Sequence, residues 1–381
     1  VKILHLSDLH IGKSVNGFSM YPEQQYAFTQ IINYIQTHHP DAVIISGDIY
    51  DRAVPGVEAV RLFDDFLTEL AGEDTAVLII SGNHDSPERL NYASRLLADK
   101  RLYLYTTFDG TLHRIVLKDA HGDVTFWLLP FIRPSSLRGF FAERSAETYE
   151  EAFAMVLETA DIDHTTRNIL VSHQYFTHAA TPPIRSDSEL TPIGGLDAID
   201  ATLIESFDYA ALGHLHGTQS AGPEHLHYAG SPIKYSFSER FQEKTATLVT
   251  LEEKGDLTIT PLPLTPIHDM REIKGTLDTL VRDSLFEGSQ DYLRVILTDE
   301  EEIVDPMGKL RSVFPNIMSL AFENTRTKID PGTVTAHAGT APKTLSPYEL
   351  FCEFYLDLQG STMNAAQTEI VREYLESQEE L

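Results

Sequence analysis

Five short apolar runs set the rhythm of the first half of the chain: Ile3-Leu4-His5-Leu6, Val43-Ile44-Ile45, Val77-Leu78-Ile79-Ile80, Ile169-Leu170-Val171 and Tyr209-Ala210-Ala211-Leu212. Each passes directly into a polar or glycine-containing turn, the pattern of a strand covered on both faces. Between the first three runs the period becomes helical. Tyr26, Phe28, Ile31, Ile32 and Ile35 mark one face of a helix over about Tyr21 to His38. Val60, Phe63, Phe66, Leu67 and Leu70 mark another over about Gly56 to Leu70. Such alternation predicts right-handed crossovers and a sheet covered by helices. Later strands, near Thr111–Leu117, Val124–Leu129, Thr245–Leu251 and Leu257–Pro261, follow in closer succession. The expected class is therefore an α/β sandwich more than a single doubly wound sheet.

After about Pro266 the texture changes. Met270–Lys274, Leu277–Val281, Tyr292–Leu297, Met307–Val313 and Ile317–Phe322 read as β-α-β-α-β. Residues 330–345 are rich in Pro, Gly, Ala and Thr without periodicity, as a linker is. Ser346-Pro347-Tyr348-Glu349 then has the features of a helix start, and Leu350, Phe351, Phe354, Tyr355 and Leu358 form an apolar stripe behind it. Asn364-Ala365-Ala366-Gln367 offers a second capping box, followed by Ile370, Val371, Tyr374 and Leu375. The expected organisation is a main domain over 1–266, a small α/β domain over 267–329, a linker over 330–345 and a helical docking segment over 346–381.

Composition narrows the possible roles. Hydrophobic residues make up 42% of the 381, enough for a sizeable core. A single cysteine, Cys352, rules out an intrachain disulfide framework and a thiolate metal cluster. No apolar run approaches the roughly 18 residues of a membrane span, and the opening VKILHLSDLH lacks a secretory pattern. A protein of the cytoplasm with no membrane attachment is expected. The formal net charge is −28, and residues 1–270 alone carry 19 basic and 37 acidic side chains. Nucleic-acid binders usually show a basic footprint; if nucleic acid is the substrate, a metal, a local patch or a partner must supply positive charge.

The turns behind the apolar runs carry the chemistry. Asp8-Leu9-His10 comes after the first, Gly47-Asp48 with Asp51 after the second, Gly82-Asn83-His84-Asp85 after the third, Ser172-His173 after the fourth and Gly213-His214-Leu215-His216 after the fifth. Singly these are ordinary turn residues. Together, five strand ends all carry metal-ligand side chains, and in open α/β sheets ligands bind beyond the carboxyl ends of the strands. Mixed carboxylate, imidazole and amide ligands suit Mn, Fe, Zn or Co. One cation can be held by Asp8, His10 and His216 and a second by Asn83, His173 and His214, with Asp48 bridging them. Paired metals about 3.5–4 Å apart are the arrangement that splits phosphate esters by in-line attack. His84 is expected to contact the phosphate or protonate the leaving oxygen, with Asp85 holding its other nitrogen.

The series D-x-H, G-D-x-x-D, G-N-H-D, S-H-Q and G-H-L-H, in that order, resembles the calcineurin-like metallophosphoesterase superfamily. KILHLSDLHIG, GDIYDR, SGNHDSPERL, GHLHGTQ and YAGSPIKYSFSE bring it closer to the double-strand-break-repair nucleases, the bacterial SbcD group in particular. The resemblance covers nearly the whole chain. It implies a metallophosphoesterase-type β-sandwich flanked by helices, two manganese ions on Asp8, His10, Asp48, Asn83, His173, His214 and His216, and a catalytic His84. It also implies a small domain that positions DNA and a C-terminal segment that binds an SbcC-type coiled-coil ABC ATPase. The implied activity is ATP-dependent 3′→5′ exonuclease action on duplex ends and endonuclease action on single strands and hairpins, by a homodimer within a heterotetramer. Two rival readings keep part of this: another dinuclear phosphoesterase, acting on phosphoproteins or cyclic nucleotides, and a noncatalytic scaffold for DNA ends.

Overall fold

The computed structural model describes residues 1–141, 144–178, 182–189, 197–282 and 290–325, and beyond them 348, 351–352, 355–356, 362–364 and 367–372. The first compact unit, Val1–Met270, holds most of the regular structure. Its main elements are β1 (Lys2–Leu6), α1 (Tyr21–His38), β2 (Ala42–Ser46), α2 (Val57–Gly72), β3 (Ala76–Ile80), β4 (Leu102–Tyr105), β5 (His113–Asp119), β6 (Gly122–Leu129), α3 (Tyr149–Leu157), β7 (Arg167–Ser172), β8 (Tyr209–Leu212), β9 (Gln219–Ser220), β10 (Leu226–Tyr228), β11 (Thr245–Leu251) and β12 (Leu257–Pro263).

Two six-stranded sheets result, ordered β12-β11-β1-β2-β3-β4 and β9-β10-β8-β7-β6-β5. Within the first, β1 to β4 run parallel in sequence order, and β11 closes antiparallel on β1. In the second, β6, β7, β8 and β10 are parallel neighbours. Side chains alternate between faces along a strand, and the core divides accordingly. Ile3, Ile44, Leu78, Phe126, Ile169 and Tyr209 pack between the sheets. Leu4, Val43, Val77 and their alternates face α1 and α2, whereas Trp127, Leu170 and Ala210 face the α3 side. This four-layer arrangement is the expected α/β sandwich flanked by helices. It also explains the continuous apolar runs, since a strand packed on both faces has no polar side to show.

Buried polar side chains between the sheets are paired. His5 contacts the Tyr209 hydroxyl through Nδ1 and the Ser46 hydroxyl through Nε2, each at 2.8 Å. Several elements lie outside the expected list, β4 the longest strand and α3 the longest helix among them. Strand β4 is half-buried in alternation, and α3 starts from a capping box in which Thr148 and Glu151 bond each other's backbone N–H.

In the second unit, Arg271–Leu381, a small sheet joins Met270–Gly275, Tyr292–Leu297 and Ile317–Phe322, with helices Leu277–Arg282 and Pro306–Arg311 between them. Ile273, Leu293, Val295, Leu310 and Phe314 form its own core. The linker expected over 330–345 and the cap expected at Ser346 lie outside the described residues. Asn364 and Gln367 do form a reciprocal capping box, at 2.9 and 3.0 Å, and Arg372 lies 5.1 Å over the Tyr348 ring. No helix among the described residues is long and apolar enough to cross a membrane.

Candidate metal centre

The loops after β1, β2 and β3 bring Asp8, Asp48 and Asn83 from one sheet against His173, His214 and His216, which follow β7 and β8 of the other. Asp8, His10, Asp48, His173 and His216 are almost fully buried. Asn83, His84 and His214 are half-buried and form the open side. Asp48 Oδ2 lies 3.3 Å from His173 Nε2, 3.6 Å from His10 Nε2 and 4.0 Å from His84 Nε2. His10 Nε2 and His216 Nε2 face each other at 3.1 Å, with Asp8 Oδ1 3.9 Å from His10. His214 Nδ1 is 3.0 Å from Asn83 Oδ1. All seven expected ligands and His84 are therefore brought together.

Backbone conformation sets these side chains at unusual angles. Asp8, His10, Asp48 and His214 all have positive φ, reaching 99° at His214; such backbones cost energy and cluster at functional sites. The glycines that precede ligands leave room for neighbouring ligands. A Cβ on Gly82 would strike Asp48, and one on Gly213 would strike Ser46 O, Ser7 and His173. Backbone amides orient the carboxylates: His214 N donates to Asp8 and His84 N to Asp48 Oδ1 at 2.9 Å.

Protonation follows from burial and proximity. Burial holds His10 well below the usual imidazole range and lowers His214 to about 3, so both rings are neutral and keep a lone pair. His173 moves the other way, up to about 9; burial disfavours its charge, but the adjoining Asp48 outweighs it. Asp48 is correspondingly held well below the carboxylate range, with His173 overriding burial. His173 Nδ1 donates to Ser46 O at 2.6 Å, which turns Nε2 into the cluster. Among the described residues, His173 Nε2, His214 Nε2 and His10 Nδ1 are buried without a hydrogen-bond partner. Asp8, His10 and His216 offer donor atoms within 4.8 Å of one another, as do Asp8, Asp48 and His173, and His10, Asp48 and His84. Buried carboxylates and imidazole nitrogens turned on one another fit divalent cations of the N/O-liganded kind.

The expected part for Asp85 needs correction. Its carboxylate accepts from the backbone N–H of Ile49, Tyr50 and Gly82 at 2.9–3.1 Å, and so ties the β2 loop to the β3 loop. His84 Nδ1 is held instead by the Asp51 carbonyl, at 2.9 Å. A short loop turns the neighbouring side chains apart: Asp85 faces inward while the His84 ring stays at the rim.

Residues 1–217 match the calcineurin-like phosphoesterase family. The chain belongs to that family. Residues 266–357 match the family described as type 5 capsule protein repressor C-terminal domain, the SbcD C-terminal family. The D subunit of the nuclease SbcCD from Staphylococcus epidermidis is 34% identical, over 84% of this chain and 85% of its own. The protein of the same name from Staphylococcus saprophyticus is 30% identical over 98% of each. This phosphoesterase thus carries the SbcD arrangement, a metallophosphoesterase domain followed by the SbcD C-terminal domain. Among solved structures, a dimetal phosphatase from Danio rerio is 12% identical, covers 69% of this chain and 99% of its own, and gives a TM-score of 0.37. The phosphoesterase fold and the His/Asp cluster together suggest a dinuclear divalent-metal centre.

Behind the phosphoesterase cluster lies a polar layer that short-range sequence motifs do not reveal. Ser188 Oγ contacts His216 Nδ1 at 2.7 Å and donates to Glu239 Oε1 at 2.5 Å, and Glu189 Oε1 accepts from His216 N at 2.7 Å. Buried Lys244 closes the network, donating to Glu239 Oε2 at 2.7 Å and to Ser231 Oγ at 2.9 Å. Burial opposes the charge on Glu239, but Lys244 and His216 hold its carboxyl far below the usual range. Ser231 is thereby a fastening for the His216 loop, and Lys234 pairs with Asp269 at 2.7 Å. Arg52 is 82% exposed and lies 3.5 Å from Asp51.

Proposed function

We propose that the chain is an SbcD-type nuclease subunit that hydrolyses DNA phosphodiesters with two divalent cations, manganese in the first place. Asp8, His10 and His216 would hold one ion, Asn83, His173 and His214 the other, and Asp48 both. The observation that carries this reading is the convergence of seven Asp, Asn and His side chains from five strand ends, with His214 Nε2 buried and without a hydrogen-bond partner among the described residues. Bound there, two cations would neutralise charge on the phosphate oxygens and lower the pKa of a water, so that hydroxide is available to attack phosphorus at neutral pH.

The chain's own groups do the rest. Asp48 and His173 orient one another, while the backbone amides of His84 and His214 fix the carboxylates. His84 presents Nε2 at the half-buried rim because Nδ1 is engaged with Asp51 O, so it is suited to protonate the leaving oxygen. Its substrates would be duplex ends, attacked 3′→5′, and single strands or hairpins, attacked internally, under ATP control by an SbcC-type ATPase in the cytoplasm. The helical segment beyond 345 would dock that partner, and exposed Leu356 and Ile370 suit such a contact. Residues 267–329 would position DNA. Exposed Val57 and Val60 on α2, with Tyr92 and Leu96, support a homodimer within a heterotetramer.

The test is digestion of end-labelled duplex and hairpin DNA with manganese, with and without chelator, beside hydrolysis of bis(p-nitrophenyl) phosphate. Chelator-sensitive cleavage of both kinds of substrate is expected. Hydrolysis of the small diester without DNA cleavage in the presence of an SbcC-type partner would overturn the nuclease assignment. Manganese-independent behaviour, or an empty site in manganese anomalous scattering, would overturn the metal centre.

A further inference from the structure

A cavity of about 120 Å³ opens beside Asn83 and His214, walled by Phe131, Tyr149 and Tyr175. Two further lining side chains are buried yet incompletely bonded. Gln174, 1% exposed, donates from Nε2 to Ile132 O at 2.9 Å. A carbonyl only accepts, so this bond fixes the amide orientation and leaves Oε1 as an acceptor. Asp197, 5% exposed, accepts from Arg185 Nη2 at 2.9 Å through Oδ2. Among the described residues neither Gln174 Oε1 nor Asp197 Oδ1 has a partner. Buried acceptors without donors are costly, and native proteins keep them where a ligand or water supplies the hydrogens.

Water could supply hydrogens to both acceptors but has no use for three aromatic walls. A flat ring carrying N–H groups satisfies both demands, because aromatic side chains stack on its faces while the acceptors take its edge. The cavity has room for one ring system and adjoins the metal centre. Arg133, which lines the cavity, lies 5.6 Å over Phe131, and Arg185, paired with Asp197, lies 3.6 Å over Tyr175, so two cationic side chains flank the aromatic walls.

We propose that this cavity is a subsite for one unstacked nucleobase next to the scissile phosphodiester, selective for bases with an exocyclic amino group. Adenine, cytosine and guanine offer that donor; thymine does not. The proposal rests on the nuclease reading above. It deepens that reading by making strand-end unpairing part of substrate recognition: the base must leave its stack to enter.

The manganese-loaded full chain is titrated calorimetrically with deoxycytidine 5′-monophosphate, thymidine 5′-monophosphate and deoxyribose 5-phosphate, and the same preparation is assayed on bis(p-nitrophenyl) phosphate. The cytidine nucleotide is expected to bind about tenfold tighter than the thymidine nucleotide, the scale of one specific base contact. Asp197→Asn, which turns an acceptor into a potential donor, and Tyr149→Ala, which removes a wall, should each shrink that ratio to under about threefold. Circular dichroism confirms that both variants are folded. Equal affinities for all three ligands, or an undiminished ratio in both folded variants, would overturn the subsite. Cleavage of end-labelled duplex by the same preparation reports on the nuclease reading separately: base-selective binding without any hydrolysis of DNA or diester supports the subsite and sinks that reading, whereas DNA cleavage with equal affinities does the reverse.

Discussion

His84 differs from His10, His173 and His216 in its exposure. Those three are almost fully buried, whereas His84, held through Nδ1 by the Asp51 carbonyl, stands at the rim. His84→Gln keeps a polar side chain of similar reach but cannot shuttle a proton. Cleavage is expected to fall by about 10²–10⁴-fold, the usual contribution of general acid–base catalysis, with manganese affinity within about threefold. Calorimetry for the metal and single-turnover cleavage for the chemistry check the two halves; undiminished cleavage would remove His84 from the mechanism. His216 depends on a partner set far off in sequence. Ser188 and Glu239 fix its Nδ1 and so aim Nε2 at the cluster. Glu239→Gln should weaken manganese binding by about 10–100-fold, as loss of outer partners does elsewhere. A calorimetric affinity equal to that of the unaltered protein would show the network to be structural only.

At the level of elements, the strands were legible because burial on both faces leaves continuous aliphatic runs, and helices α1 and α2 because one face is polar. Strand β4 was not, since its half-buried LYLY lacks that signature. The Thr148–Glu151 box that starts α3 was in the sequence, but no long apolar stripe drew attention to it. The clustering of the seven expected ligands could be read because each lies in the loop that follows a strand. The role of Asp85 could not: two of its three backbone donors, Ile49 and Tyr50, come from another strand's loop. Burial and nearby Asp48 push its carboxyl up to about 7, against those three N–H groups. Asp85→Ala would leave three buried donors unpaired, and a loss of about 3 kcal/mol in unfolding free energy is expected. Urea denaturation measures it; a change under about 1 kcal/mol would mean that the loops hold themselves.

On the scale of the whole molecule, charge and construction matter most. With 37 acidic against 19 basic residues up to position 270, the catalytic unit should repel duplex DNA except at the cations. Isolated chain is therefore expected to bind a 30-base-pair duplex only weakly, with dissociation constants above about 10 μM at physiological salt. Fluorescence anisotropy across a salt series checks this, and nanomolar binding without a partner would refute it. The two sheets share the expected ligand set: Asp8, His10, Asp48 and Asn83 follow strands of one, and His173, His214 and His216 follow strands of the other. Any ion gripped by both becomes a rivet through the sandwich, and slippage of the layers must first break it. Manganese at a hundred times its dissociation constant should then add about 2.7 kcal/mol to folding and raise the melting temperature by roughly 5–10 °C, a gain that chelator erases in a thermal melt. The cofactor of the chemistry would also be a fastener of the scaffold, so metal starvation would silence the enzyme and loosen it together.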